Sequence, residues 1–483
     1  MIAIERSNEE SNPNISAVSV IGLGYVGLCL SSSLAKLNIK VYCYDTQKSI
    51  IDKLNKSESP IFEPKLPELI KESIEKSTLK PTYDINEAIM NSNITFICVG
   101  TPCDEHGYID LTYIKEVSKD IGKVIKKKNN YHVVSVKSTV IPGTTDSYVI
   151  PIIQEESGKV VGKDFGICMT PEFLREGKAI DDFFNPDKIV IGSYDERSRN
   201  YLYHVFKEFW PEKWGGRNLF VFCDLRTAEM IKYANNACLA TRISFINEMA
   251  NLAERLGVDI KIVSKAIGMD HRIGSGFLDA GLGFGGSCFP KDVKALYYAG
   301  KKAGYEPKLL KSVLDVNDLQ PIKCVELIQS KFKENNLIEN DLRNITVSLL
   351  GLSFKPNTDD IREAPSIKIS LKLLELGANL KVYDPVANFN FKIKMDQINK
   401  DYNSKIYYAK NPIDAIKNSN VAIIVTEWAE FYNLTPEDFI NSMNPNTIKI
   451  VIDGRRIFDP QKFENTSLIF YAIGYSKQKE FKP

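Results

Sequence analysis

One thiol is set apart in the sequence by what surrounds it. Cys288 closes the run Gly281-Leu-Gly-Phe-Gly-Gly-Ser-Cys288-Phe-Pro-Lys-Asp292, where Gly281, Gly283, Gly285 and Gly286 leave almost no side chains between the sulfur and a ligand. Glycine allows backbone conformations and close approaches that a Cβ forbids, and Pro290 stiffens the exit. Lys291 and Asp292 place a cation and a carboxylate beside the sulfur, and a neighbouring cation favours the thiolate, which is the nucleophile. A glycine-rich turn carrying an inert cysteine fits the same segment equally well, since free cysteine is among the most buried residue types. The segment by itself does not choose.

Three other stretches carry chemistry. Thr170-Pro-Glu172-Phe-Leu-Arg-Glu176-Gly holds two carboxylates four apart; it reads as a solvated turn and helix start, or as a catalytic loop if it meets Cys288. Lys232 and Asn236 share one helical face. Their neighbours Met230, Ile231, Ala234, Ala237 and Cys238 are apolar or small, so a partly buried lysine is as plausible as a solvated one. Finally, the β-rich run Ala17–Ile21 leads into Gly22-Leu-Gly24-Tyr25-Val26-Gly27, a helical stretch, and a second β-rich run ending at Asp45. In a dinucleotide-binding βαβ unit the first glycine makes the turn, the second admits the pyrophosphate and the third lets helix and strand pack. Asp45, 18 residues after Gly27, suits the ribose hydroxyls and repels a 2′-phosphate, which argues for NAD over NADP.

The elements that must position these residues follow from the same reading. Apolar runs at Ile94–Val99 and His132–Val136 read as buried parallel strands, and their carboxyl ends put Thr101, Ser138 and Thr139 at the ligand crevice. Residues Trp210 to Leu225 read as a connection, and a helix of some 30 residues from about Thr227 to Leu256 follows, stopped by Gly257. Farther on, Ile345–Lys355 and Leu380–Asp384 parallel the opening unit, and Asn418–Val425 parallels Asn91–Cys98. This second unit keeps Gly351 but not the glycine triplet, and it carries Lys355, Arg362, Arg455 and Arg456, so it is expected to bind an anionic nucleotide but no second dinucleotide. The expected fold is α/β: two Rossmann-like doubly wound domains joined by a central helical domain with one long helix. The boundaries are a tail at 1–15, an NAD-binding domain at 16–225, a central helical domain at 226–325, a second Rossmann-like, anion-binding domain at 326–475 and a tail at 476–483.

Composition narrows the class. The 483 residues exceed one ordinary core, and 62 Lys+Arg against 61 Asp+Glu gives no electrostatic case for nucleic acid or an anionic membrane. Nine cysteines without a C-x-x-C pair suit a reducing cytoplasm. Cys98, Cys103 and His106 lie near one another, but Cys98 falls within an apolar strand-like run, so no metal site is expected. The polar, acidic first 15 residues do not resemble a signal peptide, and no apolar run reaches the length of a membrane helix.

Taken in order, the motifs Thr170–Gly177, Lys232 with Asn236, His271-Arg272-Ile-Gly and Gly283–Asp292 resemble those of the nucleotide-sugar dehydrogenases, and the resemblance runs from about Val18 to Arg456. It implies NAD-linked, four-electron oxidation of the C6 alcohol of a sugar nucleotide to a carboxylate. UDP-glucose is the expected substrate, with GDP-mannose and UDP-N-acetylhexosamines as alternatives. By the same resemblance, Lys232 with a water held by Asp292 deprotonates the alcohol, Cys288 adds to the aldehyde, Lys232 and Asn236 form the oxyanion site, and Glu172 with Thr139 serves hydrolysis. The NAD site takes Gly22 to Gly27, Asp45, Thr101, Thr139, Glu176 and Arg362. The sugar-nucleotide site takes Glu172, Phe173, Leu174, Lys232, Asn236, Phe277, Asp279, Ala280, Gly281, Leu282, Gly283, Phe284, Gly285, Phe354, Lys355 and Arg455, with Arg272 from a neighbouring subunit, which implies at least a dimer. One departure stands out: Ile50 occupies a position where relatives often carry a basic residue, with Lys48 as a substitute. Outside this reaction class stand a two-electron hydroxyacid dehydrogenase, which needs no thiol, and a non-catalytic NAD-binding protein.

Overall fold

The computed structural model describes residues 13, 15–104, 107–207, 219–339 and 341–476. Both expected tails lie almost wholly outside these residues, as do His106 and most of the expected 210–225 connection. The chain forms two compact units, 1–234 and 235–483.

The first unit is built on eight strands: β1 (Ala17–Ile21), β2 (Lys40–Tyr44), β3 (Leu79–Thr82), β4 (Ile94–Ile97), β5 (His132–Val136), β6 (Phe165–Met169), β7 (Ile189–Ser193) and β8 (Phe220–Cys223). Their order is β3-β2-β1-β4-β5-β6-β7-β8, parallel except where β7 runs against β6. Strands β1, β4, β5 and β6 are buried along their whole length, as expected of a sheet covered by helices on both faces. Strand order reverses between β1 and β4, the point where such sheets open a ligand crevice. The stretch expected as connection thus contributes an edge strand: Phe220, Val221 and Phe222 alternate poorly, and both middle residues are exposed, which hid it in the sequence.

The long helix spans Leu225–Leu256, and the boundary between the units falls inside it. It begins two residues before the expected start because Asp224 caps it, accepting from Thr227 N at 2.9 Å and Thr227 Oγ1 at 2.6 Å. Gly257, with φ +71°, lies just past its end in the left-handed conformation that favours glycine.

Helices Ile260–Gly268, Phe289–Lys302, Lys308–Leu319 and Ile322–Glu334 precede the second unit's sheet. That sheet comprises β9 (Thr346–Leu350), β10 (Asn379–Tyr383), β11 (Ile406–Tyr408), β12 (Val421–Ile424), β13 (Lys449–Asp453) and β14 (Leu468–Ala472). The order β11-β10-β9-β12-β13-β14 repeats that of β3 to β6, and every pair is parallel. The internal repeat read from the sequence is therefore a repeat of topology.

Candidate active site

In the first unit the glycine turn has the geometry its sequence predicts. Gly22 sits at φ +93°, and a Cβ there would lie 2.8 Å from the Cys98 carbonyl. A Cβ on Gly27 would lie 1.9 Å from Gly22 O, so helix and strand pack only through glycine. A Cβ on Gly24 would meet nothing within 4 Å: this is the open side of the turn. Gly24 is the N-cap of helix Tyr25–Lys36 and offers no side-chain cap, so the first-turn N–H groups face outward for an anion. Asp45 is half-buried and accepts from Leu23 N at 2.7 Å and Gln47 N at 2.8 Å, leaving lone pairs for a ribose. These features fit the dinucleotide that the sequence implies. At the ends of β4 and β5, Thr101 Oγ1 donates to Thr139 O at 2.9 Å and Ser138 Oγ to Val99 O at 2.7 Å, which fixes the crevice floor.

The Thr170–Gly177 loop reaches this turn. The Tyr25 hydroxyl hydrogen-bonds Glu63 and accepts from Gly177 N at 2.8 Å. Glu63, 2% exposed, also accepts from Gly177 N at 2.6 Å and Ala179 N at 2.8 Å. Sequence reasoning missed Glu63, an ordinary surface-type residue in a polar stretch whose partners lie 114 and 116 positions away. Deeper in the loop, Glu172 accepts from Lys232 Nζ at 2.6 Å and from Leu174 N at 2.7 Å. Lys232 and Glu172 are 3% and 7% exposed, so the buried-lysine reading holds and Lys232 is not on a solvated face. Lys232 Nζ lies 5.5 Å from the Phe173 ring centroid, and Lys188 Nζ lies 4.1 Å from it. Glu229, one turn earlier on the helix and fully buried, accepts from Gly143 N, Thr145 N and Thr145 Oγ1 at 2.5, 2.8 and 2.6 Å, which clamps that helix to the loop after β5.

In the second unit Cys288 is half-buried and is the N-cap of helix Phe289–Lys302. Helix N-termini favour negative charge, which an inert structural thiol would not exploit. Burial pushes the enclosed thiols of Cys98 and Cys324 up to about 12. One turn along, Asp292 is 2% exposed and accepts from Lys291 Nζ at 2.6 Å and Asn236 Nδ2 at 2.7 Å. Lys232, held by Glu172, and Asn236, held by Asp292, are thus one turn apart on the long helix.

The glycine loop is pinned by three amide side chains that sequence reasoning did not single out. Asn247 Oδ1 accepts from Gly281 N at 2.8 Å, Gln320 Nε2 donates to Gly281 O at 3.1 Å, and Asn317 makes a paired contact with Phe284 N and O at 2.7 and 3.0 Å. Close packing accounts for the glycines: a Cβ would lie 2.7 Å from Arg455 Nη1 at Gly281, 2.4 Å from Glu363 O at Gly285, and 2.8 Å from the Phe354 ring at Gly286. Arg455 forks onto Glu427 at 2.5 and 2.7 Å. Burial pushes the Glu427 carboxyl up, but the charge and hydrogen bonds of Arg455 outweigh it, so the group lies below the usual carboxylate range. Phe277 holds φ +61°, a strained conformation for a bulky residue of the kind that gathers at functional sites. Its ring centroid lies 6.1 Å from that of Phe289, next to the thiol. Leu282 and Ala280 are buried, and the Asp279 charge acts on Arg455. Lys355 Nζ lies 5.2 Å from the Phe354 ring centroid, and its charge helps hold Glu427 ionised. Arg272 and Arg362 are both exposed, and each pairs with the aspartate two positions before it, Asp270 and Asp360, at 2.5 and 2.6 Å.

Fold and site together define a nucleotide-linked dehydrogenase, and comparison with known proteins gives the family. Residues 16–210 match the NAD binding domain of the UDP-glucose/GDP-mannose dehydrogenase family, 226–319 its central domain and 348–460 its UDP binding domain. The UDP-glucose 6-dehydrogenase AglM of Haloferax volcanii is 42% identical over 440 residues, covering 91% of this chain and 96% of that protein. TuaD of Bacillus subtilis, also a UDP-glucose 6-dehydrogenase, is 37% identical over 458 residues, covering 95% and 93%. The structure of a UDP-glucose dehydrogenase from Pyrobaculum islandicum superposes with a TM-score of 0.84 at 36% identity, covering 97% of this chain and all of that one. The chain belongs to the UDP-glucose/GDP-mannose dehydrogenase family.

Proposed function

We propose that the chain oxidises UDP-glucose at C6 to UDP-glucuronate, passing four electrons to two NAD per sugar. The observation that carries this reading is Cys288, half-buried at a helix N-terminus where a glycine loop ends. Oxidation of an alcohol only to an aldehyde or ketone needs no thiol, whereas going on to an acid gains from a covalent acyl intermediate.

When bound, NAD accepts one hydride at each oxidation. Lys232, with a water held by Asp292, takes the proton of the C6 hydroxyl. Cys288 Sγ then bonds to the aldehyde carbon, and the oxyanion that forms receives hydrogen bonds from Lys232 and Asn236. Oxidation of this thiohemiacetal leaves a thioester. Glu172, assisted by Thr139, takes a proton from water, the water oxygen bonds to the acyl carbon, and the C–S bond breaks to return the thiolate. The long-helix placement of Lys232 against Glu172 and of Asn236 against Asp292 supports these roles.

Asp45 and the open face at Gly24 support NAD, with Thr101, Glu176 and Arg362 completing that site. Phe173, Leu174, Phe277, Asp279 to Gly285, Phe354, Lys355 and Arg455 hold the sugar nucleotide, and Arg272 reaches the site of a neighbouring subunit in at least a dimer. The domain division at 225/226 and 325/326 follows the same assignment, and a reducing cytoplasm suits a catalytic thiol outside any disulfide. No helix among the described residues is long and apolar enough to cross a membrane. The choice of UDP-glucose draws support from the UDP-glucose 6-dehydrogenases at 37–42% identity. Purified protein incubated with NAD and each sugar nucleotide is expected to form NADH fastest from UDP-glucose; NADH from GDP-mannose alone overturns the assignment.

A further inference from the structure

We infer that Lys137, at the end of β5, is a positioning residue for this reaction: its buried amine ties down the loop that carries Glu172 and sets the charge felt by the Glu172–Lys232 pair. The inference rests on the catalytic roles proposed above for those two residues.

Lys137 Nζ donates to Thr170 O at 3.0 Å, two positions before Glu172. Thr170 is held again by Ser135 Oγ to its Oγ1 at 2.7 Å and by its own N to Val136 O at 2.9 Å, so the loop leaves β6 from a fixed point. The amine is enclosed: Lys137 is 9% exposed, and its Nζ lies 5.8 Å from the Phe206 ring centroid. A neutral side chain would secure Thr170 O as well and would spare the burial of an ammonium, so the charge itself needs a reason. Three titratable groups face it from other elements: Cys98 beyond β4, Glu172 on the loop, and Lys232 on the long helix. Burial keeps the Cys98 thiol neutral, so among these four groups the Glu172–Lys232 ion pair leaves the charge of Lys137 in excess. That charge acts on both members of the pair, attracting the Glu172 carboxylate and repelling the Lys232 amine, the groups that hydrolysis and alcohol activation are proposed to use. Burial pushes the Lys137 amine down to about 8, helped by Lys232 and opposed by Cys98 and Glu172, so the excess charge is lost as pH rises through that value.

Two measurements on the full-length protein test this, one of them independent of turnover. The unfolded chain keeps its lysines protonated to about pH 10.4, so between about 8 and 10.4 it binds more protons than the folded chain, and this group's contribution to stability rises with pH. Melting temperatures of wild type and Lys137→Met followed across that interval should move in favour of wild type; a constant difference overturns the inference. In the kcat profile with UDP-glucose, wild type should lose activity around pH 8. Lys137→Arg, charged at every pH used, should keep that activity to at least one pH unit higher, and Lys137→Met should run about tenfold slower below pH 8 without that limb. A wild-type profile with no ionisation near 8, or an arginine variant whose limb does not move, overturns the inference even if Lys137→Met fails to fold. Absence of any turnover of UDP-glucose by wild type would instead refute the proposed function, and the melting series would still report on Lys137.

Discussion

The two sheets present the same turn twice, and the turns differ in what is left over. Gly22 follows β1 with φ +93° and donates to Tyr44 O at 2.9 Å; Gly351 follows β9 with φ +94° and donates to Tyr383 O at 2.8 Å. Each is followed by an acid at the end of the neighbouring strand, Asp45 and Asp384, which accepts from the N–H after the glycine, Leu23 N or Leu352 N, at 2.7 Å. There the likeness ends. Asp384 is 1% exposed and also accepts from Ser353 N and Oγ, Val386 N, Ala387 N and Trp428 Nε1 at 2.9–3.1 Å, which exhausts its lone pairs. Asp45 is half-buried, with capacity to spare. The same backbone frame thus holds an acid with open lone pairs in the first sheet, as the proposed ribose site needs, and an enclosed structural joint in the second.

Substitutions that exchange these roles sharpen the contrast. Asp384→Ala strands several buried donors at once and should destabilise the protein by about 3–5 kcal/mol in denaturant unfolding, with no direct effect on NAD binding by the folded protein. Asp45→Ala should cost less than about 1 kcal/mol of stability yet weaken NAD about tenfold by calorimetry and relax the discrimination against NADP. If the two alanine variants lost similar stability, the distinction between site and joint would fail. Within the first turn the same logic applies on a smaller scale. Gly27→Ala drives a Cβ into the Gly22 carbonyl and should cost about 1–3 kcal/mol, whereas Gly24→Ala meets open space, should melt within a degree or two of wild type, and should reveal itself in NAD affinity. Normal NAD binding by Gly24→Ala would place the pyrophosphate elsewhere.

Much of this was legible in the sequence because glycine, proline and capping residues report on backbone geometry where they stand. The Gly22–Gly27 turn, the stop at Gly257 and the Cys288 loop all came from residues whose conformational needs are local. The topological repeat was legible from two strand-helix-strand patterns ending in an acid, although nothing in the sequence said that Asp384 would be saturated, since Trp428 and Ala387 reach it from separate segments. Polar clamps were illegible for the same reason. Glu63, Glu229, Asn247, Asn317 and Gln320 look like solvated helix or loop residues until folding brings distant backbone groups to them. Lys137 shows in the sequence only as the residue after the apolar run His132–Val136, because its burial depends on helix Glu196–Lys207 and the Thr170 loop packing around it.

The central claim is that one thiol carries the sugar from aldehyde to acid, and the amount of NADH formed per sugar tests it most directly. With UDP-glucose limiting and NAD in excess, the account predicts two NADH for each UDP-glucose consumed and UDP-glucuronate as the product. A value of one, with a carbonyl product accumulating, would contradict it.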